Sequence, residues 1–162
     1  IFANFSGAHF NPIVSILFFL QKELSSKDLF LYTLIQIVAA ILGTFFANYI
    51  FGLNVIEISS NIRSGANIYI SEIFAAMGLL LVILLSRADG KNIVSFNVGI
   101  YITAALIFTS STSFANPAVT IARMFTESFT GINPSTVIFF ISCQVIGMFA
   151  AYLLYNQFFK SK

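Results

Sequence analysis

Charge is what this sequence has least of: Asp, Glu, Lys and Arg make up 9% of its 162 residues, against roughly 25% in an ordinary soluble domain. That shortage rules out the usual water-facing surface. The net charge of +2, with no run of Lys or Arg, rules out a nucleic-acid partner. Cysteine is nearly missing as well. Cys143 stands alone, so no disulfide forms within the chain and no Cys-based metal site exists; the residue reads as a packed side chain. No basic start with a small-residue cleavage site marks a signal peptide. No nucleophile, base and orienting group share a useful spacing, so the chain is read as no enzyme, with no cofactor and no metal. What is present is apolar: 58% of residues are hydrophobic and 20 are Phe. Such proportions predict a membrane protein whose Phe-rich faces meet lipid or pack together. Ile1 lies inside an apolar segment, which reads as the start of a fragment.

Crossing a bilayer takes about 20 apolar residues, and stretches of that order occur at 29–51, 68–86, 93–110 and 135–158. Four full spans are therefore expected. Two Asn-Pro pairs, Asn11-Pro12 and Asn116-Pro117, each open a further apolar segment, 12–20 and 117–125. As helices these measure about 14 Å, half the hydrocarbon thickness, so neither can cross alone. An Asn-Pro pair starts a helix because the residue before Pro is driven from the helical region while Pro fits the first helical position. Polar connectors begin at Gln21, Gly52 and Arg87. If the half-length segments re-enter on the side they left, Lys22, Lys27, Arg87, Lys91, Lys160 and Lys162 share one face, and Arg63 and Arg123 the other. Basic residues are retained in the cytoplasm, which places the C-terminus there and makes 52–67 an extracytoplasmic loop.

The two halves echo one another. Aligning Asn11 with Asn116 matches "FNPIVSI" to "ANPAVTI", and "QIVAAILGTFFANYIF" from Gln36 resembles "QVIGMFAAYLLYNQFF" from Gln144. The repeats divide as 1–51 and 68–162. Two spans precede the motif in the second half and none in the first, so the repeat predicts two spans missing before Ile1, within an inverted-repeat plan.

Irregular backbone at membrane depth survives only where protein buries it or water meets it. The residues before each half-helix, among them Gly7, Ala8 and His9 in one copy and Phe114 and Ala115 in the other, are thus expected to line a pore with their backbone. Two half-helices entering from opposite faces bring together the positive ends of their dipoles. Asn11 and Asn116 would cap them through side-chain oxygens and keep amide N–H groups to donate. That arrangement suits a neutral hydrogen-bonding solute and opposes cations, protons included.

"SGAHFNP" from Ser6, "SFANPAV" from Ser113 and the spacing of spans resemble the aquaporin or major intrinsic protein family. The resemblance implies an all-α membrane protein with an aquaporin-like inverted repeat: four full transmembrane helices and two re-entrant half-helices, with the first two spans of the usual six missing. It implies a passive channel for water or small uncharged solutes, assembled as a homotetramer in a bilayer, here the bacterial inner (plasma) membrane. Asn11, Pro12 and Ile13 take the first family motif, with Ile13 in place of the usual alanine. Asn116, Pro117 and Ala118 take the second. Members restricted to water or glycerol carry an arginine next, where this chain has Val119; Arg123, a turn later, is not assigned that role. The "NPAVTIAR" form resembles bacterial members from arsenic-resistance contexts, which implies a filter open to glycerol-like solutes or neutral metalloid hydroxides. Other filter positions implied are Ser113 and Leu106, with Ala104 as an alternative to the latter.

Remaining polar residues read as structural. Glu72, inside a span, is expected to accept from backbone N–H groups of the loop before Asn116, though a carboxyl at that depth is also a functional candidate. Gln36 and Gln144 read as interhelical glue. His9 is either a hydrogen-bonded loop residue or a pH sensor at the cytoplasmic mouth. Small residues at Ala39, Ala40, Gly43, Ala47, Gly147, Ala150 and Ala151 would permit close helix approach. Two other functions stay open: an ion-coupled transporter with broken helices, for which Glu72 is the sole acid available, and a non-conducting remnant.

Overall fold

Long apolar runs bounded by polar turns become helices here, because only a helix satisfies every backbone group within the segment. The computed structural model describes residues 2–88 and 93–159. Within them the chain is all-helical: a single turn α1 (Ala3–Ser6), then α2 (Pro12–Leu20), α3 (Ser26–Ile50), α4 (Ala66–Ala88), α5 (Val94–Phe108), α6 (Pro117–Ala122) with a 3-10 turn at Arg123–Phe125, and α7 (Pro134–Phe158). Among the described residues α3, α4 and α7 are long and apolar enough to cross a membrane. Lys91, Lys160 and Lys162, used above to orient the chain, lie outside the described residues.

The expected fourth full span is shorter than the apolar run. α5 has 15 residues, or about 22 Å at 1.5 Å per residue, below the roughly 30 Å of hydrocarbon. Its C-cap Thr109 is extended, with φ −100° and ψ 134°, so apolar sequence continues up to the point where the backbone stops coiling. In the other direction, α3 starts three residues before the apolar stretch. Ser25 caps it, accepting from the Asp28 N–H at 3.1 Å and donating to the Asp28 carboxylate at 2.7 Å, which turns polar connector residues into a first helical turn.

The chain divides into two compact units, 1–62 with 116–138, and 63–115 with 139–162. In the first unit α3 is a spine. Tyr32 Oη donates to the Ser6 carbonyl at 2.7 Å, and Gln36 Nε2 donates to Ser15 Oγ at 3.0 Å. Farther along α3, Asn48 Nδ2 donates to the Phe125 carbonyl at 2.9 Å, and the Phe45 and Phe125 rings meet at 5.8 Å. The segment after α3 is tied to the one after α6: Ser59 N–H reaches the Met124 carbonyl, and Ser60 donates through N–H and Oγ to Glu127. Those donors hold the Glu127 carboxyl below its ordinary range.

In the second unit α4 buries Glu72, Ala75, Ala76, Leu79, Leu80, Ile83 and Leu84, a stripe at three- and four-residue spacing that forms the core. Tyr101 of α5 lies over Gly78 and donates to the Ala75 carbonyl at 2.9 Å. Most apolar side chains of α3 stay exposed, Phe30, Ile35, Leu42 and Phe46 among them at 60% or more. So much exposed apolar surface suits lipid, not water. The small-residue stripe divides accordingly: a side chain at Gly43 would meet nothing, whereas Gly147 is pressed against α4.

Candidate functional site

Both Asn-Pro pairs start short helices, and both do so by the same local chemistry. Asn11, at φ −157° and ψ 123°, accepts the Ile13 N–H on its side-chain oxygen at 3.1 Å. Asn116, at φ −158° and ψ 112°, accepts from Ala118 at 3.0 Å and Val119 at 3.4 Å. Pro follows each at the first helical position, where its missing N–H costs nothing. The two helices begin side by side within the first unit, where Asn116 Nδ2 donates to the Phe10 carbonyl at 2.9 Å. From that junction α2 runs beside the N-terminal half of α3, and the 3-10 turn that follows α6 meets residues 45 and 48 of it through Phe125. The two therefore point in opposite directions along one spine with their N-termini together, and both positive dipole ends face one place. One hydrogen of the Asn116 amide is thus used on backbone, instead of both being kept for a passing molecule.

The backbone leading into each helix carries a second shared feature. Non-glycine residues at positive φ are Ala8, Phe10, Lys22, Thr112, Ser113 and Ala115. Ala8 and Phe10 stand three and one residues before Asn11; Ser113 and Ala115 stand three and one before Asn116. Each such residue costs about 1–3 kcal/mol and persists only where its surroundings enforce it. Gly7, also left-handed at φ 69°, closes α1 and admits the turn without that penalty.

A control sits in the same chain. All three prolines follow an asparagine, and the third pair, Asn133-Pro134, starts α7 with Asn133 accepting from the Ser135 N–H at 3.0 Å. The residues before it, Thr130 and Ile132, are not left-handed. Asn-Pro by itself is a helix start; the alternation before it distinguishes the other two.

What enforces the second copy is Glu72, which is 0% exposed. Its carboxyl accepts the Phe114 N–H at 3.2 Å and the Ala115 N–H at 2.6 Å, while Gln144 Nε2 donates to it at 2.7 Å. Ser113 N–H bonds Ser111 Oγ at 3.2 Å. In the first copy His9 Nδ1 lies 3.1 Å from Ser15 Oγ, with its ring against Phe18 at 4.3 Å and Tyr32 at 5.2 Å. Ser15 Oγ also receives Gln36 Nε2, so Gln36 joins α2 to α3 as Gln144 joins α4 to α7. Ile13 is wholly buried, and Ala118 is 1% exposed.

The remaining candidates are spread out. Val119 lines an open groove of about 610 Å³ with Ala40, Gly43, Thr44 and Arg123. Ser113 is buried, whereas Leu106 is 47% exposed. Ala104 borders a separate surface hollow with Phe96, Gly99 and Thr103. Cys143 is a free, buried thiol. A residue that sequence reasoning used only for orientation, Arg63, lies with its Cζ 4.9 Å from the centre of the Phe114 ring.

A family model described as Major intrinsic protein matches residues 1–112. The chain is also similar to a curated protein, Aquaglyceroporin AqpS of Rhizobium meliloti (strain 1021), with 43% identity over 149 residues. That alignment covers 92% of this chain and 64% of the rhizobial protein.

Proposed function

The chain belongs to the major intrinsic protein family, and on that premise we propose that it forms a passive transmembrane channel for water and small uncharged solutes. It is an integral, multi-pass membrane protein. The observation that carries the reading is the junction of two Asn-capped helix starts, with Asn116 Nδ2 on the Phe10 carbonyl. Fixed N–H dipoles at that junction favour a neutral oxygen and oppose a cation or proton. Asn11, Pro12, Ile13, Asn116, Pro117 and Ala118 form the junction in this proposal; the backbone of Gly7, Ala8, His9, Phe114 and Ala115 lines the path. Val119, Ser113 and Leu106 are its filter positions. Valine where an arginine would narrow the path favours solutes broader than water, glycerol-like molecules or neutral metalloid hydroxides. The name of the similar rhizobial protein, an aquaglyceroporin, agrees with that breadth. The channel sits in a bacterial inner membrane as a homotetramer, with 52–67 outside and the C-terminus in the cytoplasm.

Liposomes carrying the full protein test this by light scattering under gradients of sucrose, glycerol and a neutral metalloid acid. Flux is expected to follow each gradient, with no early saturation and no need for sodium or protons. Accumulation against a gradient, driven by an ion, would establish a coupled transporter instead. Val119→Arg is expected to reduce glycerol flux by about tenfold and water flux by less than half that factor, since a charged side chain both narrows and polarises a path. Equal loss for both solutes would remove residue 119 from the filter.

A further inference from the structure

We infer that residues 56–62, in the connector after α3, lie in the lipid headgroup boundary with their isoleucines turned into the bilayer, so that the connector is itself a membrane contact. This placement needs only that α3 crosses the membrane and is independent of any solute path. Burial alternates along the stretch with a period of two, as on a strand. Ile56, Ile58, Ser60 and Ile62 are exposed, whereas Glu57, Ser59 and Asn61 are half-buried or buried. Where water covers one side, such alternation turns apolar side chains inward and polar ones outward. Here it is reversed: Ile56, Ile58 and Ile62 are 63%, 56% and 70% exposed, and Ser59 only 1%.

The polar side of the stretch is occupied by protein. Ser59 N–H donates to the Met124 carbonyl at 2.9 Å and Asn61 Nδ2 to the Ser128 carbonyl at 2.8 Å. Asn133 donates in return, through Nδ2 to the Ser59 carbonyl at 3.2 Å and through N–H to the Asn61 carbonyl at 2.7 Å. These bonds satisfy irregular backbone that would otherwise be costly beside hydrocarbon. Glu57, the one charged residue of the stretch, accepts from Asn54 Nδ2 at 3.1 Å. Ser60 faces outward but spends its N–H and Oγ on Glu127. The outward side is thus isoleucine with its one hydroxyl already used. A specific protein partner would call for about one hydrogen bond per 100–200 Å², whereas lipid calls for none.

Depth follows from α3. Its 25 residues measure about 37 Å against roughly 30 Å of hydrocarbon, so its last turn reaches the boundary. Leu53 N–H on the Asn48 carbonyl at 2.9 Å, and Asn48 Nδ2 on the Val55 carbonyl at 3.1 Å, fold the connector back beside that turn. Exposed apolar surface continues there from the lipid-facing side of α3 through Ile50 and Phe51. Trp and Tyr are the usual boundary anchors, and this sequence has no Trp; Tyr49, Phe51 and Phe129, each more than 70% exposed, supply the rings.

The lack of tryptophan makes the test direct. Ile58→Trp in the full protein, reconstituted in phosphatidylcholine vesicles, is read as the fluorescence difference from the unsubstituted protein. Its emission is expected to be blue-shifted and protected from aqueous acrylamide. Lipids brominated near the carbonyl end of the acyl chain should quench it about twofold more than lipids brominated near the methyl end, because boundary side chains lie about 5–10 Å into the headgroup region. Blue-shifted emission that neither lipid quenches would mean that protein covers Ile58, a second copy or another segment, and would overturn the inference. Quenching by acrylamide alone would overturn it too, by placing the stretch in water. Should Ile58→Trp not fold, a spin label on Ile56→Cys in a Cys143→Ser background should relax faster with oxygen than with a water-soluble nickel chelate, and the reverse order would count against the membrane contact. Neither readout involves solute flux, so a failed channel assay and a failed boundary assay are told apart.

Discussion

Replacing Glu72 with leucine is expected to leave little folded protein. Three donors converge on this carboxyl inside α4: the N–H groups of Phe114 and Ala115 and the side chain of Gln144. Leucine fills similar space and accepts nothing, so all three are stranded in an apolar interior. At about 1–3 kcal/mol for each buried donor left unpaired, the loss is on the order of 5 kcal/mol, comparable to the whole stability of many domains. The left-handed Ala115 loses the acceptor of its N–H, and its strain is then less opposed. Thermal unfolding in detergent should show a fall of about 10 °C or more, and the surviving fraction should conduct poorly. Glu72→Gln should be milder. Its carbonyl oxygen can accept one N–H while its NH2 group faces the other donors. A leucine variant melting within about 2 °C of the parent, no more than the shift that a single lost hydrogen bond produces, would show that the carboxyl is not what shapes the segment before Asn116.

How much of this could be read from residues alone follows from how local each cause is. The helix starts at Asn11 and Asn116 were legible because capping and the proline effect act within three residues. Apolar length gave α3, α4 and α7, but it overstated α5, because the stretch read as 93–110 includes polar Thr109 and Ser110, where the backbone has already uncoiled. The Ser25 cap was hidden in a polar connector. The left-handed alternation was invisible: Ala8, Phe10, Ser113 and Ala115 are not residues that seek positive φ. At Ala115 the cause is a carboxyl 43 residues earlier in the chain. Arg63 was invisible for the same reason, since a lone loop arginine has no signature until Phe114 lies beneath it. Asn133-Pro134 makes the complementary point. A dipeptide specifies a helix start, and only what flanks it in space makes two of the three a junction.

Gly147→Val should prove nearly as damaging as the loss of Glu72, for a linked reason. A Cβ at 147 would come within 3.0 Å of the Ile73 carbonyl oxygen, Ala76 Cβ and the Met77 nitrogen. Two of these are backbone atoms of α4 and cannot rotate away, so α7 has to move. Overpacking of this kind costs about 1–3 kcal/mol before any polar contact is counted. Gln144 lies three residues earlier on α7, on the same face as Gly147, and its 2.7 Å bond to Glu72 depends on the close approach that the glycine permits. Moving α7 outward therefore removes a donor from the group that holds Phe114 and Ala115. A double-mutant cycle separates this chain of effects from simple crowding. Gly147→Ala and Gln144→Leu should together cost less than the sum of each alone, by on the order of 1 kcal/mol, because both break the same bond. Strict additivity would mean that glycine only makes room for a helix. Non-additivity would make the close packing of α7 on α4 the origin of the backbone geometry that leads into Asn116.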